Sequence, residues 1–140
     1  MQYAGLIKRS VALVIDIIVI IFLTILVMGM IGFVLGGMFA DVTALHVATS
    51  YGPLIDIILI WLYYAGLESS KYQASLGKII IGIYVTDLEG ERLSFGQATI
   101  RHFSKYVSTL ILFVGYLMAG VTPKKQALHD MMAKTLVLSR

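Results

Sequence analysis

Cysteine is absent from the 140 residues, which excludes disulfides and every thiolate-based zinc or redox site. Charge is nearly as scarce. Only 14% of the residues are Asp, Glu, Lys or Arg, while 59% are hydrophobic and the mean hydropathy is +0.89. Soluble domains carry about 25% charged residues, so this composition excludes an ordinary water-soluble globule and gives an integral membrane protein. No change of composition marks a linker, and one domain spanning residues 1–140 is expected. The net charge of +3 and pI near 9.2 do not call for nucleic acid. In a membrane chain Lys and Arg gather in cytoplasmic segments facing anionic headgroups, so the expected partner is the lipid bilayer.

What the chain does have is long apolar runs. Crossing the hydrocarbon takes about 20 residues at 1.5 Å rise each. The first run starts near Val11 and reaches the glycine-rich Gly29–Gly37, giving a helix over about residues 10–38. Lys8-Arg9 resemble the charged start of a signal peptide, but the run exceeds the roughly 7–15 residues of such a segment, so no cleavable signal is expected. Gly32 and Gly36 either let another helix approach closely, favouring a homo-oligomer, or mark the fraying helix exit. The second run, about 53–69, places Pro53 in its first turn and Trp61, Tyr63 and Tyr64 in an interfacial aromatic belt. The third, within 104–122, either spans or re-enters near Gly115.

Residues 70–103 have a different texture. Ile83-Tyr84-Val85-Thr86-Asp87, a turn at Gly90 and Arg92-Leu93-Ser94 predict a small β-hairpin. Phe95–Lys105 predicts an amphipathic helix on the headgroups. Between the first two helices there is no Lys or Arg, whereas Lys71, Lys78, Arg92, Arg101 and Lys105 follow the second. The N-terminus and the 70–103 loop are therefore placed in the cytoplasm. Lys124, Lys125, Lys134 and Arg140 would break that rule if the third run spanned. Thr135-Leu136-Val137-Leu138 reads as a strand that needs a partner from the loop, which favours a re-entrant third run and a cytoplasmic tail. The fold class is thus an all-α membrane protein with two transmembrane helices, a third spanning or re-entrant helix and a small cytoplasmic hairpin.

Asp16 is the only charged residue between Ser10 and Ala40. An ionisable group there costs on the order of 3 kcal/mol to insert, so it points to function and to a partner. Arg9 lies seven residues earlier, on the same helix face and roughly 10 Å away along the axis. Low dielectric favours a protonated carboxyl and a nearby guanidinium the ionised form, so the two make either a cation or proton site or a structural clamp.

Several motifs in order resemble the RDD family of small bacterial membrane proteins, named for one Arg and two Asp. Ala4-Gly5-Leu6-Ile7-Lys8-Arg9 through Asp16 is similar to the family's opening. Glu68-Ser69-Ser70 through Ser75-Leu76-Gly77-Lys78 is similar to its loop, where Thr usually replaces Ser75. Gly82–Asp87 and Gly90–Ser94 follow its glycine turn, and Arg101 its later Arg. Lys124-Lys125-Gln126-Ala127-Leu128-His129-Asp130 is similar to its closing motif, and Lys134 departs from the usual Gly. The resemblance covers nearly the whole chain. It implies a bacterial inner-membrane, multi-pass protein whose site is Arg9, Asp16 and Asp130, cation–proton exchange as suggested for some members, and no catalytic activity.

Secondary candidates are Asp56, Lys78, Asp87, Arg101 and His129. Asp56 fits a helix N-terminus near the outer surface or a second carboxylate on a pathway. His129 beside Asp130 is either a titrating pair or a polar surface turn. Lys124 and Lys125 suit lipid phosphates. The three histidines lack metal-ligand spacing and Gly77-Lys78 lacks the rest of a phosphate loop, so no metal, cofactor or enzyme activity is expected. Two functions follow: a small cation- or proton-coupled transporter, or a non-transporting adaptor or subunit that binds a partner through its loop and tail.

Overall fold

The computed structural model describes residues 2–38, 42–111 and 114–140. In chain order the elements are α1 (Leu6–Met38), α2 (Val42–Glu68), α3 (Leu76–Ile81), β1 (Ile83–Asp87), α4 (Phe95–Leu110), α5 (Val114–Val121), α6 (Leu128–Met132) and β2 (Thr135–Ser139). Two compact units result: one from Met1–Asp16 with Trp61–Arg140, the other from Ile17–Ile60.

The second unit holds the middle and end of α1 and the first part of α2. Leu6–Val34 and Thr49–Glu68 are long and apolar enough to cross a membrane, at 29 and 20 residues. Ile17, Ile18, Ile21, Phe22, Ile25 and Leu26 are all exposed on α1, a contiguous apolar surface larger than single scattered side chains make. α2 begins earlier than its apolar composition indicates, so Pro53 and Asp56 fall inside the helix instead of at its start. The two helices approach at Gly52, where a Cβ would come 3.0 Å from Met28 Cε. A Cβ on Gly32 or Gly36 would meet nothing within 4 Å.

The first unit is built on a two-stranded antiparallel sheet. β1 pairs with β2 from Ile83↔Ser139 to Asp87↔Thr135. The tail strand thus finds its partner in the loop, as expected, but the expected hairpin does not form. Asp87 does start a turn, with its N–H donating to Glu91 O at 3.0 Å. The returning residues then leave the sheet, because Ser94 caps α4. Its Oγ accepts from Gln97 N at 3.2 Å, while Gln97 Oε1 accepts from Ser94 N at 3.1 Å. A bare two-stranded ribbon is marginal, and here both outer edges are covered. Ala4 N donates to Val137 O and Ser139 N to Gln2 O, each at 2.8 Å, while Val85 N donates to Gln73 O at 2.7 Å. Ile83, Val85, Leu93 and Val137 pack with Ala4, Ala12, Ala65 and Ala98 in the core.

The third apolar run is no continuous helix over 104–122. α4 starts at Phe95 and ends at Leu110, and α5 begins at Val114; residues 112 and 113 lie outside the described ones, as do the side chains around Gly115. α4 is amphipathic with its polarity inverted. Ala98, Arg101, His102, Ser104 and Ser108 are buried, whereas Ile100, Phe103, Tyr106, Val107 and Leu110 are exposed. An apolar outer face over a polar interior is what a bilayer boundary favours.

Candidate functional site

Asp16 sits on the α1 face that also carries Ala12, and only 1% of its surface is exposed. α3 comes so close here that a Cβ on Gly77 would lie 2.2 Å from Ala12 O and 2.9 Å from Asp16 Cγ. Glycine is therefore required by contact. The approach delivers Gly77 N–H to Asp16 Oδ1 at 2.7 Å and Ser75 Oγ–H to Oδ2 at 2.6 Å. Tyr63 OH on α2 donates to Oδ1 at 2.7 Å. The Asp16 carboxylate is thus held by neutral donors from α2 and α3.

A second buried cluster is made of charges. Arg101 on α4 donates through Nε at 2.9 Å and Nη2 at 2.8 Å to Asp130 Oδ1, and through Nη1 at 2.6 Å to Glu68 Oε2. Lys78 binds the other Glu68 oxygen, and Arg9 Nη1 binds Asp130 Oδ2. Asp130 Oδ2 also accepts from Ala127 N at 3.1 Å, in the first turn of α6. Arg9 is oriented further by Ala4 O at 3.2 Å and Lys125 O at 2.6 Å. The order Arg9–Asp130–Arg101–Glu68–Lys78 alternates in sign, so each buried charge has an opposite neighbour. Burial alone would raise the Asp130 carboxyl, but Arg101 outweighs it and holds Asp130 below its ordinary value. Burial likewise opposes the Arg101 charge, and Glu68 with Asp130 raises it above the usual guanidinium value. Lys78 is lowered by burial despite Glu68.

The expected triad is therefore divided. Arg9 and Asp130 meet; Asp16 has its own partners. Seven residues along a helix give a shared face and roughly 10 Å of separation, too far for an ion pair, and each side chain is satisfied nearer by. Arg9 and Asp16 do line one cavity of about 490 Å³. Lys78, Arg101, His102 and Lys105 line it too, with apolar wall from Leu6, Leu13 and Leu117. Tyr64 carries Lys105 Nζ 3.8 Å from its ring centroid, and the His102 ring stacks on it at 5.8 Å. Burial, with Lys78 and Arg101 adding to it against Glu68, lowers Lys105 from 10.5 to about 7. Burial lowers His102 from 6.5 to about 4.

The remaining expected residues fall elsewhere. Asp56 lies in the second unit with a buried Oδ1 that has no hydrogen-bond partner among the described residues. Asp87 orders its own turn, Oδ1 accepting from Glu89 N at 3.0 Å and Glu91 N at 2.8 Å. His129 is no surface turn: it is buried, with Nδ1 3.3 Å from Ser108 Oγ and Nε2 3.5 Å from Asp130, and burial lowers it from 6.5 to about 3. The Lys124 and Lys125 side chains are exposed. Tyr63 and Tyr64 are buried, and Trp61 Nε1 donates to Thr99 Oγ1 at 3.1 Å, so these rings serve the interior more than an aromatic belt. Glu68, Tyr63, Ser75, Gly77, His102 and Lys105 join the site unanticipated. Among the described residues no group of three His, Asp or Glu side chains is placed to hold a metal ion.

Two helices apolar enough to cross a membrane, joined to a unit with charged residues inside, define a helical protein of membrane character. The chain belongs to the RDD family, whose model matches residues 3–134. It is 42% identical over 85 residues to the uncharacterized protein YxaI of Bacillus subtilis, covering 61% of this chain and 56% of that protein. It is 27% identical over 86 residues to the uncharacterized membrane protein YteJ of the same organism, covering 60% and 51%. A proline-rich antigen homolog of Mycobacterium tuberculosis is 28% identical over 79 residues, 56% of this chain and 32% of its own length. The chain thus spans about half or less of the relatives it matches. No solved structure matches it.

Proposed function

We propose that the chain is a non-transporting membrane module, an adaptor or subunit whose polar unit presents the loop and tail to a partner. The observation that carries this reading is saturation. Asp16 has three donors, Glu68 a lysine and a guanidinium, and Asp130 two guanidiniums and a backbone N–H. A cation entering the cavity would also meet Arg9, Lys78, Arg101 and Lys105. Such fields repel cations and, among the described residues that line the cavity, leave no free carboxylate to exchange one. In this reading α1 and α2 anchor the chain in a bacterial inner membrane, and no catalysis is assigned. The pairing of N-terminal residues, β1 and β2 in one sheet supports a common, cytoplasmic side for all three, in line with the basic residues. The open surface at Gly32 and Gly36 supports self-association through α1.

One observation favours cation or proton exchange instead: Asp16 lines the cavity from an apolar helix and makes no ion pair among the described residues. Liposomes containing the purified chain, loaded with a pH-sensitive dye and placed under sodium, potassium or proton gradients, separate the two readings. The module reading expects fluxes equal to those of empty liposomes, for wild type and Asp16→Asn alike. A flux that Asp16→Asn abolishes would overturn it in favour of exchange.

A further inference from the structure

The cavity lined by Arg9 and Asp16 has features that neither the donors on Asp16 nor the alternating charges use. His102 is 3% exposed, lines the cavity, and neither ring nitrogen has a hydrogen-bond partner among the described residues. A buried imidazole without partners loses its hydration and gains no hydrogen bond in return, so the pair of nitrogens calls for a ligand. Lys105 lies one helical turn further along α4, on the same face, and among the described residues is paired with no carboxylate; its ammonium rests on Tyr64. The charges of this unit's interior do not balance either. With Lys105 protonated, Arg9, Lys78, Arg101 and Lys105 stand against Asp16, Glu68 and Asp130, leaving one positive charge in excess.

The rest of the cavity is apolar. Leu6, Leu13 and Leu117 form its wall, and Leu117 is also 58% exposed, so the space opens on an apolar outer surface. Phe103, Val107 and Leu110 are likewise apolar and exposed on α4. A volume of about 490 Å³ falls within the range of about 300–1,000 Å³ usual for small-molecule sites. A free hydrated anion would gain nothing from those walls.

We propose that this cavity binds an anionic amphiphile, a carboxylate or phosphate head on an alkyl chain. The head is held by Lys105 and His102, and the chain runs along Leu6, Leu13 and Leu117. The monoanionic head neutralises the excess charge, and His102 N–H gains its missing acceptor. The groups facing Lys105 are Tyr64 and Glu68 of α2, Lys78 of α3, Arg101 of its own helix and Asp130 of α6. Glu68 and Asp130 are already engaged, so among the described residues that line the cavity Lys105 is the cation left for a ligand. The proposal goes beyond the module reading and does not depend on whether ions cross the membrane.

The test uses the full chain in neutral maltoside micelles, titrated calorimetrically with dodecyl phosphate, with inorganic phosphate and dodecanol as head-only and tail-only probes. Saturable one-to-one binding of dodecyl phosphate is expected, at least tenfold weaker for Lys105→Gln and several-fold weaker for His102→Phe, which keeps the ring contacts with Tyr64. Lys105→Arg should restore most of the affinity. In parallel, the chain is taken from nanodiscs of phosphatidylcholine and phosphatidylglycerol into a native mass measurement. Selective retention of phosphatidylglycerol, lost in Lys105→Gln, supports the site and makes a membrane lipid the source. Dodecyl phosphate binding without retained lipid supports it with a free amphiphile as the source. Binding undiminished in folded Lys105→Gln, or inorganic phosphate binding as tightly as dodecyl phosphate, overturns the proposal.

Discussion

Asp16 and Asp130 are both buried carboxylates in the same unit, yet they are stabilised by opposite means. Asp130 is held by charge: two guanidiniums, one of which is shared with Glu68. Asp16 is held by neutral dipoles: a phenol, a hydroxyl and a backbone N–H brought near by a glycine. The charged solution couples distant elements, because losing one cation strands two anions. The neutral solution depends on fit, because its donors work only at contact distance. One is an electrostatic lattice and the other a steric one.

Arg101→Met gives the largest break. It leaves Glu68 and Asp130 buried without their shared partner, and breaking such pairs costs about 3–5 kcal/mol. Thermal unfolding in neutral detergent measures it; a loss below about 1 kcal/mol would erase the contrast drawn above. Gly77→Ala attacks the other side without touching a charge. Its Cβ must displace Ala12 O or Asp16, so a loss of about 1–3 kcal/mol is expected by the same assay.

The pH dependence sharpens the comparison by separating carboxylates from imidazoles. His102 and His129 are lowered by burial from 6.5 to about 4 and about 3. The unfolded chain therefore takes up protons below pH 6.5 that the folded one refuses. Their contribution is full above 6.5 and is lost as pH falls toward 4 and 3. Asp130, lowered from 3.8, keeps its full contribution through most of that window and loses it only as pH falls below about 3.8. Melting temperature should accordingly fall between pH 7 and 4, and the double variant His102→Phe, His129→Asn should flatten that fall. Unchanged slopes would assign the acid sensitivity elsewhere. The smallest effect is a gain: Lys134 has φ +53°, the left-handed region that an L side chain enters at a cost, and Lys134→Gly should add about 1 kcal/mol.

Legibility in the sequence follows the same divide. Charges announce themselves: Asp16 by its apolar surroundings, Arg9 by sharing a helix face with it, and Lys78, Arg101 and Asp130 by motifs that resemble the family's. Donors do not. Ser75 and Gly77 belong to the loop motif, but nothing local says that their O–H and N–H turn to Asp16, and Tyr63 reads as an interfacial ring because its register against Asp16 depends on how α1 and α2 lie side by side. Glu68 opens the loop motif, but nothing in its local sequence says that it turns inward to Lys78 and Arg101. The tail strand was legible because a lone strand needs a partner. The false hairpin arose because Ile83–Gly90 satisfies every local rule for one, while the winning pairing joins residues about fifty positions apart. The capping box at Ser94 and Gln97 was the local signal that the return arm belongs to a helix.

The Arg9–Asp130 pair spans 121 positions of sequence, which makes it a clock as well as a bond. Synthesis proceeds at about 5–20 residues per second, so Arg9 is made on the order of 6–24 s before its carboxylate exists. Helical turns form in about a microsecond or less, and α1 is complete long before then. The order of assembly is thus imposed by the chain's own direction: apolar helices first, charge lattice last. Until Asp130 emerges, Arg9 must be kept wet.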